Sequence, residues 1–155
     1  DTEFKKFCDF YDSVSDEIEN PSDPTAVNED GSKKKRRKKN VWIVKPGENS
    51  NRGNGIHVCK DMDQIKELIN RNFTMKNGAK RTWIVQQYID RPLLVFKRKF
   101  DVRCYGLLTC INGNMKGYWY PDGYLRTSCK EFSLKNLSNR IVHLTNDAVQ
   151  KKSDD

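Results

Sequence analysis

The sequence predicts an α+β domain built from antiparallel hairpins, preceded by a segment of different composition. Apolar residues alternate along residues 100–110, and this run continues to Asn112-Gly113, a strong signal for a hairpin turn. Shorter β-prone runs lie upstream, separated by one stretch with helical spacing of its apolar residues. The composition changes sharply at Asn40, which we take as the start of the domain.

The first 39 residues are predicted to be a flexible segment that is acidic and then basic. Residues 1–32 hold ten acidic and two basic side chains, and residues 33–39 add seven positive charges. A short helical face before Ser13 is predicted from four aromatic residues, Phe4, Phe7, Phe10 and Tyr11.

The basic run at residues 33–39 is typical of a solvated tract, or of a nuclear-localisation or nucleic-acid patch. It contains no aromatic residue that could stack on bases, so binding to nucleic acid is not favoured. Attraction to an acidic protein surface is the favoured interpretation. Residues 40–155 hold 20 basic and 11 acidic side chains, which also favours an anionic ligand or an acidic partner.

The cysteines are scattered and form no CxxC pair, and the chain has only two histidines, so a zinc site is not expected. Free thiols in a reducing compartment are predicted for Cys8, Cys59, Cys104, Cys110 and Cys129. No apolar run approaches the roughly 20 residues of a membrane span, so no membrane contact is expected.

The domain is predicted to begin with a strand at residues 41–44, which Lys45-Pro46 ends. A second short strand follows at residues 56–58. Residues 61–72 have the periodicity of an amphipathic helix, and Asp61 is placed to cap its first turn.

The second half of the domain is predicted to be mostly strands. A strand at residues 83–85 precedes the long strand at residues 100–110, whose return strand is predicted at residues 118–120. Asp122-Gly123 is then predicted to turn the chain into residues 124–127.

The long strand carries charges at alternate positions. Lys99, Asp101 and Arg103 would share one face of the strand, with apolar residues on the other. Three charges on a core strand are unfavourable unless something pairs with them, and a bound polyphosphate would do so. The alternative is a solvated edge strand in which Asp101 lies between two basic neighbours.

Two further stretches are compatible with a nucleotide. Lys45 ends an apolar strand and precedes a loop rich in Gly and Asn, which suits phosphate binding but also suits a plain turn. Residues 83–89 form an apolar strand that runs into polar and aromatic residues. Such an exit can offer backbone groups to adenine, but it also suits a core strand followed by a turn.

These pieces occur in one order that resembles the tubulin–tyrosine ligase-like family, which has an ATP-grasp fold. The resemblance covers residues 40–152 and rests on these motifs: Trp-Ile-Val-Lys-Pro, the Gly-rich loop, Gln-Gln-Tyr-Ile, Arg-Pro-Leu-Leu, Lys-Phe-Asp-Val-Arg, Tyr-Leu-Arg-Thr-Ser and His-Leu-Thr-Asn with Gln150-Lys151. It implies a partial ATP-grasp fold, in which residues 40–89 end the central lobe and residues 90–155 begin the C-terminal lobe.

The resemblance implies ATP-dependent amide formation between a free amino acid and tubulin, through an acyl phosphate. It assigns the nucleotide to Lys45, Arg52, Gly53, Gly55, Gln86, Gln87, Tyr88, Ile89, Lys99 and Asp101. Arg103 and Arg126 would face the reacting phosphate and carboxylate groups, and Thr145 and Asn146 would lie near the ribose and the substrate. Gln87 is a departure, because lysine is more usual at this hinge position.

The family also binds Mg²⁺, through an acidic residue and a Glu-x-Asn that are expected downstream of Asp155. The chain is therefore expected to be the middle of an enzyme and to have little activity alone. Glycine is favoured as the added amino acid by Lys45-Pro46-Gly47, Arg91–Leu94 and Phe132–Leu137, with glutamate and tyrosine left open.

The expected partner is tubulin through its acidic tails, and the expected location is the cytoplasm and cytoskeleton, including a cilium or flagellum. Two alternatives remain open at this point. One is a non-catalytic microtubule-binding or scaffold fragment that retains part of the ATP site. The other is a nucleic-acid module that uses the basic run at residues 33–39.

Overall fold

The computed structural model describes residues 2–19, 39–48, 50–71, 74 and 78–153. Its elements are α1 (Thr2–Glu19), β1 (Trp42–Pro46), β2 (His57–Cys59), α2 (Met62–Asn70), β3 (Trp83–Gln87), β4 (Leu94–Val95), β5 (Arg98–Ile111), β6 (Asn114–Glu131), α3 (Arg140–His143) and α4 (Asp147–Gln150). The strands form two antiparallel three-stranded sheets, ordered β2-β1-β3 and β4-β5-β6. The α+β class with antiparallel hairpins is confirmed; whether it is an ATP-grasp fold stays a prediction.

The core lies on one face of the first sheet. Trp42 and Val44 of β1 are buried there together with Cys59, and Ile65 and Leu68 of α2 complete the cluster. The spacing of Ile65 and Leu68 places both on the inner face of α2. Asp61 does precede this helix, but its side chain makes no capping hydrogen bond, so the predicted cap contributes only its extended backbone.

Helix α1 also packs on this face, and it is longer than the sequence indicated. It continues past Ser13 to Glu19, and the ring centroids of Phe7 and Trp42 lie 4.8 Å apart in an edge contact. The Tyr11 hydroxyl donates to the Lys60 carbonyl at 2.6 Å. The helical residues of the first segment are therefore attached to the sheet rather than a separate flexible stretch; most of the basic run, residues 33–38, lies outside the described residues.

The second sheet is dominated by the β5–β6 hairpin. Its turn is Asn112-Gly113, with φ values of 50° and 78°, so the predicted hairpin signal is confirmed. The predicted turn at Asp122-Gly123 is wrong, because β6 runs unbroken through it to Glu131. The register passes from Tyr105 opposite Tyr120 to Arg103 opposite Tyr124, so extra residues of β6 are accommodated in a bulge.

The bulge explains why this stretch resembles a turn in sequence. Pro121 has no N–H to give to a strand ladder, so it fits a bulge better than a regular strand. Gly123 is required for space, because a Cβ there would lie 2.8 Å from the Arg103 carbonyl oxygen. The Asp-Gly pair thus reflects a close approach of two strands rather than a reversal of the chain.

The segment after β6 returns across the base of the hairpin. Gln150 is buried and accepts a hydrogen bond from the Cys129 N–H at 2.6 Å, while its amide donates to the Ile141 and Leu144 carbonyls. These bonds hold α3, α4 and the residues between them against the end of β6. None of the described helices is long and apolar enough to span a bilayer.

Gly123→Ala should lower the free energy of unfolding by about 1–3 kcal/mol, because the added methyl group overlaps a backbone carbonyl that cannot turn aside. Gly117→Ala is the matched control in the same strand, since no described atom lies within 4 Å of its Cβ position. That control should change stability by less than about 0.5 kcal/mol. Denaturant unfolding of both variants gives the comparison, and equal stabilities would contradict the assigned bulge.

Candidate functional site

Asp101 and Arg103 share one face of β5 as the alternation predicted, but the opposite face is not a packed core face, since Val102 is 56% exposed. In the β5–β6 hairpin, Asp101 lies opposite Arg126 and Arg103 lies opposite Tyr124. Arg103 and Arg126 line one cavity. Asp101 is paired within the protein by Arg126, and whether a polyphosphate binds beside this pair stays a prediction. The alternative of a solvated edge strand is wrong, because β5 lies between β4 and β6 and both Asp101 and Arg126 are only partly exposed.

Asp101 is held by three hydrogen bonds. Arg126 donates from Nε to Oδ1 and from Nη2 to Oδ2, both at 2.9 Å, and the Thr145 hydroxyl also donates to Oδ2. A two-pronged arginine–carboxylate pair is geometrically specific, and replacing either partner leaves the other charge poorly compensated. Asp101 therefore fixes the positions of the Arg126 and Thr145 side chains.

The cavity beside Arg103 and Arg126 has a volume of about 490 Å³ and is lined by several cationic side chains. Its lining residues are Arg52, Arg103, Arg126, Asn146, Asp147, Ala148 and Lys151. Asp147 is paired with Lys151 at 2.9 Å and Arg126 is paired with Asp101, so Arg52 and Arg103 leave the cavity positively charged. Sequence reasoning missed Asp147 and Lys151 as lining residues, although Lys151 belongs to a motif that carried the family resemblance.

The Gly-rich loop closes one wall of this cavity. Gly53 has φ of +78°, and a Cβ there would lie 3.0 Å from Val149 Cγ2 and 3.1 Å from Asn146 Oδ1. Arg140 donates from Nη2 to the Gly53 carbonyl oxygen, which ties the loop to α3. The loop therefore carries Arg52 to the cavity because glycine permits both the backbone turn and the close contact.

Gly55 lies in the same loop and packs against the end of β1. Its φ is +71°, and a Cβ there would lie 2.7 Å from Pro46 Cγ. It packs the loop onto the end of β1, so it positions the loop and is not itself part of the cavity lining.

The predicted adenine-binding stretch is divided by the alternation of β3. Gln86 lies on the same face as Lys45, and its Oε1 accepts a hydrogen bond from Lys45 Nζ at 2.7 Å. Gln87 lines a separate cavity of about 690 Å³ against α1. Tyr88 is buried and Ile89 is two-thirds exposed. The four side chains are therefore not gathered in one place, because successive side chains of a strand point to opposite faces.

Tyr88 and Lys99 meet in a buried cluster with His143, a residue that sequence reasoning did not assign to the site. Lys99 Nζ donates to the Tyr88 hydroxyl and to the His143 carbonyl, each at 3.0 Å. Burial lowers the pKa of Lys99, against a raising effect of Asp101. Burial also raises the pKa of Tyr88 to about 12.

Among the residues that the structure describes, no three His, Cys, Asp or Glu side chains are grouped so that they could hold a metal ion. The cavity arginines can bind anionic oxygens, because each guanidinium presents several donors in one plane.

Acidification should destabilise the protein through His143. Burial lowers its folded-state pKa below the unfolded value of about 6.5, so the neutral ring contributes stability that is present above about pH 6.5 and lost as pH falls through the folded pKa. His143→Gln should reduce the pH dependence of the unfolding free energy between about pH 7.5 and 5.

His57→Gln provides the comparison, because desolvation also lowers the pKa of His57, although this side chain is exposed on β2 and lies outside the cluster. The double variant should show less pH dependence than either single variant. An unchanged slope in His143→Gln would contradict a buried neutral imidazole.

Comparison with known proteins places the chain in a family. A model of the tubulin-tyrosine ligase family matches residues 12–155, so the match begins within the segment that the motifs did not cover. The chain is 46% identical over 114 residues to human tubulin monoglycylase TTLL3, covering 73% of this chain and 14% of that protein.

Two relatives from Tetrahymena thermophila extend this comparison. Tubulin glycylase 3D is 38% identical over 157 residues, covering 96% of this chain and 14% of the relative. The probable alpha-tubulin polyglutamylase Ttll1 is 38% identical over 119 residues, covering 74% and 28%. The chain thus spans between about a seventh and a quarter of the length of these relatives. Its motifs, its cationic cavity and these similarities lead to one conclusion: the chain belongs to the tubulin-tyrosine ligase family.

Proposed function

We propose that this chain is part of an ATP-dependent ligase that joins free glycine to tubulin through an acyl phosphate. The observation that carries the proposal is the three-arginine cavity walled by the Gly53 loop and braced by Asp101. Similarity to proteins named as tubulin glycylases supports glycine over glutamate or tyrosine. The scaffold alternative is not favoured, since the relatives are named for ligase activities.

The proposed chemistry has two steps. A tubulin side-chain carboxylate attacks the γ-phosphorus of ATP, forming an acyl phosphate and releasing ADP. The amine of glycine then attacks the acyl carbon, forms the amide and releases phosphate. Arg103 and Arg126 would stabilise negative charge on the transferred group, where preorganised donors contribute most. Magnesium, when bound, would neutralise further phosphate charge.

The remaining contacts would hold the nucleotide. Thr145 and Asn146 lie beside the arginines and would face the ribose, while Lys45 and Gln86 offer a second polar group on the first sheet. Lys99 would contact the nucleotide from the second sheet. The 490 Å³ cavity is large enough for the phosphates and the reacting carboxylate together.

The acidic tails of tubulin are the proposed protein substrate. Arg52 also lines a neighbouring cavity of about 280 Å³ that includes Arg140 and Lys152 and has no acidic lining residue. The two cavities share Arg52 and Ala148, so positive charge continues from the reacting centre onto the surface. A glutamate-rich peptide would be attracted along this path.

Arg126→Lys in the full-length protein should lower turnover about 100-fold at saturating ATP, since lysine keeps the charge but cannot form the two-pronged pair with Asp101. ATP affinity, measured separately, should change little. Arg98→Lys makes the same chemical change at an exposed position of β5 and should leave turnover unchanged. Wild-type turnover in Arg126→Lys would remove this residue from the site.

Lys152→Glu should weaken binding of a glutamate-rich tubulin-tail peptide about two- to fivefold, and the effect should shrink as salt is raised. Lys116→Glu is the matched control, because it reverses the same charge near the tip of the exposed hairpin. Fluorescence anisotropy of a labelled peptide provides the measurement. Equal affinity of the two variants would contradict the proposed path.

A further inference from the structure

Four groups form an unbroken line of hydrogen bonds between the two sheets. Lys99 Nζ lies 3.0 Å from the Tyr88 hydroxyl oxygen, which lies 3.0 Å from His143 Nδ1. His143 Nε2 in turn lies 3.0 Å from the Asn136 carbonyl oxygen. Tyr88 and His143 are 5% and 1% exposed, so the bond between them is shielded from water.

The two ends of this line fix the direction of every bond in it. The Lys99 ammonium can only donate, so the Tyr88 oxygen accepts from it and the Tyr88 O–H donates to His143 Nδ1. The Asn136 carbonyl can only accept, so His143 Nε2 carries the ring proton. One neutral tautomer of His143 satisfies both neighbours, which is the reason for a histidine at this buried position.

The line joins parts of the chain that are distant in sequence. Tyr88 directly follows β3 of the first sheet, Lys99 lies on β5 of the second, and His143 ends α3. The His143 carbonyl also accepts from Lys99 Nζ at 3.0 Å. Two of the three ammonium donors are therefore used inside the protein, and one is left for another acceptor.

Lys99 has no carboxylate partner among the described residues, since the nearby Asp101 is taken up by Arg126 and Thr145. A cation that is mostly removed from water without a counter-ion is unfavourable. Burial of Lys99 is easier to explain if an anion completes its surroundings when a ligand binds.

We propose that Tyr88 and His143 are positioning residues that hold the Lys99 ammonium so that its remaining N–H meets an anionic group of the bound nucleotide. This inference rests on the proposed function, because it takes the ligand to be ATP. Tyr88 and His143 touch no reacting atom in this arrangement; they act through Lys99. The bond between Lys99 and Tyr88 also connects β5 of the second sheet to the end of β3 in the first sheet. A nucleotide bound at Lys99 would therefore contact a residue that joins the two sheets.

The test compares binding of the analogue AMP-PNP, in the presence of Mg²⁺, to the full-length protein by isothermal titration calorimetry. Tyr88→Phe removes only the hydroxyl, and His143→Gln moves the acceptor away from Tyr88; each should weaken binding roughly five- to tenfold. His143→Asn should stay within about twofold of wild type, because its amide oxygen can accept from Tyr88 near the position of Nδ1. Tyr11→Phe, which loses one hydroxyl bond far from the site, is the control and should bind like wild type.

The outcomes separate this inference from the proposed function. Failure of the wild type to bind AMP-PNP would overturn both, whereas weakening by Lys99→Ala with unchanged Tyr88→Phe and His143→Gln would overturn only the positioning role. Equal losses in His143→Asn and His143→Gln would also overturn it, since packing rather than hydrogen bonding would then explain the histidine. In the wild type, ¹⁵N NMR should show His143 with a protonated Nε2 and a bare Nδ1, and the opposite tautomer would contradict the bond directions.

Discussion

The arrangement of the candidate site depends on the carboxylate of Asp101. Its two oxygens accept both prongs of Arg126 and the Thr145 hydroxyl, so one side chain connects β5, β6 and the segment before α4. Arg126 and Arg103 would repel each other if neither had a counter-ion. The carboxylate lets two arginines stand beside one cavity while keeping that cavity positive overall.

A second constraint is the close packing of the Gly53 loop against residues 140–150, the segment that follows β6. The loop lies against Val149 and Asn146, and Arg140 donates a hydrogen bond to the Gly53 carbonyl oxygen. A loop from the first half of the chain is therefore held against the second half. Gln150 secures the other side of that segment through the Cys129 N–H. The cavity is therefore assembled from parts of both sheets, and displacement of either would move Arg52 away from the other cations.

The outer part of the β5–β6 hairpin contrasts with its base. Large apolar side chains such as Leu107, Ile111 and Trp119 are mostly exposed there, while the paired charges and buried His143 cluster near the base. Hydrogen bonds in the buried region are shielded from water and hold fixed directions. This difference explains why the candidate site lies at the base, where residues 140–150 pack on the strands.

The sequence by itself determined the features that follow from local pattern. Alternation along β5 placed Asp101 and Arg103 on one face, and Asn112-Gly113 set the hairpin turn because both residues accept positive φ. The ordered motifs identified the family and pointed to Arg52, Arg103, Arg126 and Asn146, which the structure gathers around one cavity. Their roles toward ATP stay predictions, since position alone does not show what binds.

Only the tertiary structure decided which groups are partners. Local sequence could not distinguish a turn from a bulge at Asp122-Gly123, because the need for Gly123 arises from the Arg103 carbonyl of the opposite strand. It could not show that Gln87 faces α1, because the face of β3 that is covered depends on a helix 64 or more residues earlier in the chain. His143 was missed for the same physical reason: its hydrogen bond to Tyr88, and through Tyr88 its link to Lys99, form only when the folded chain brings these residues together.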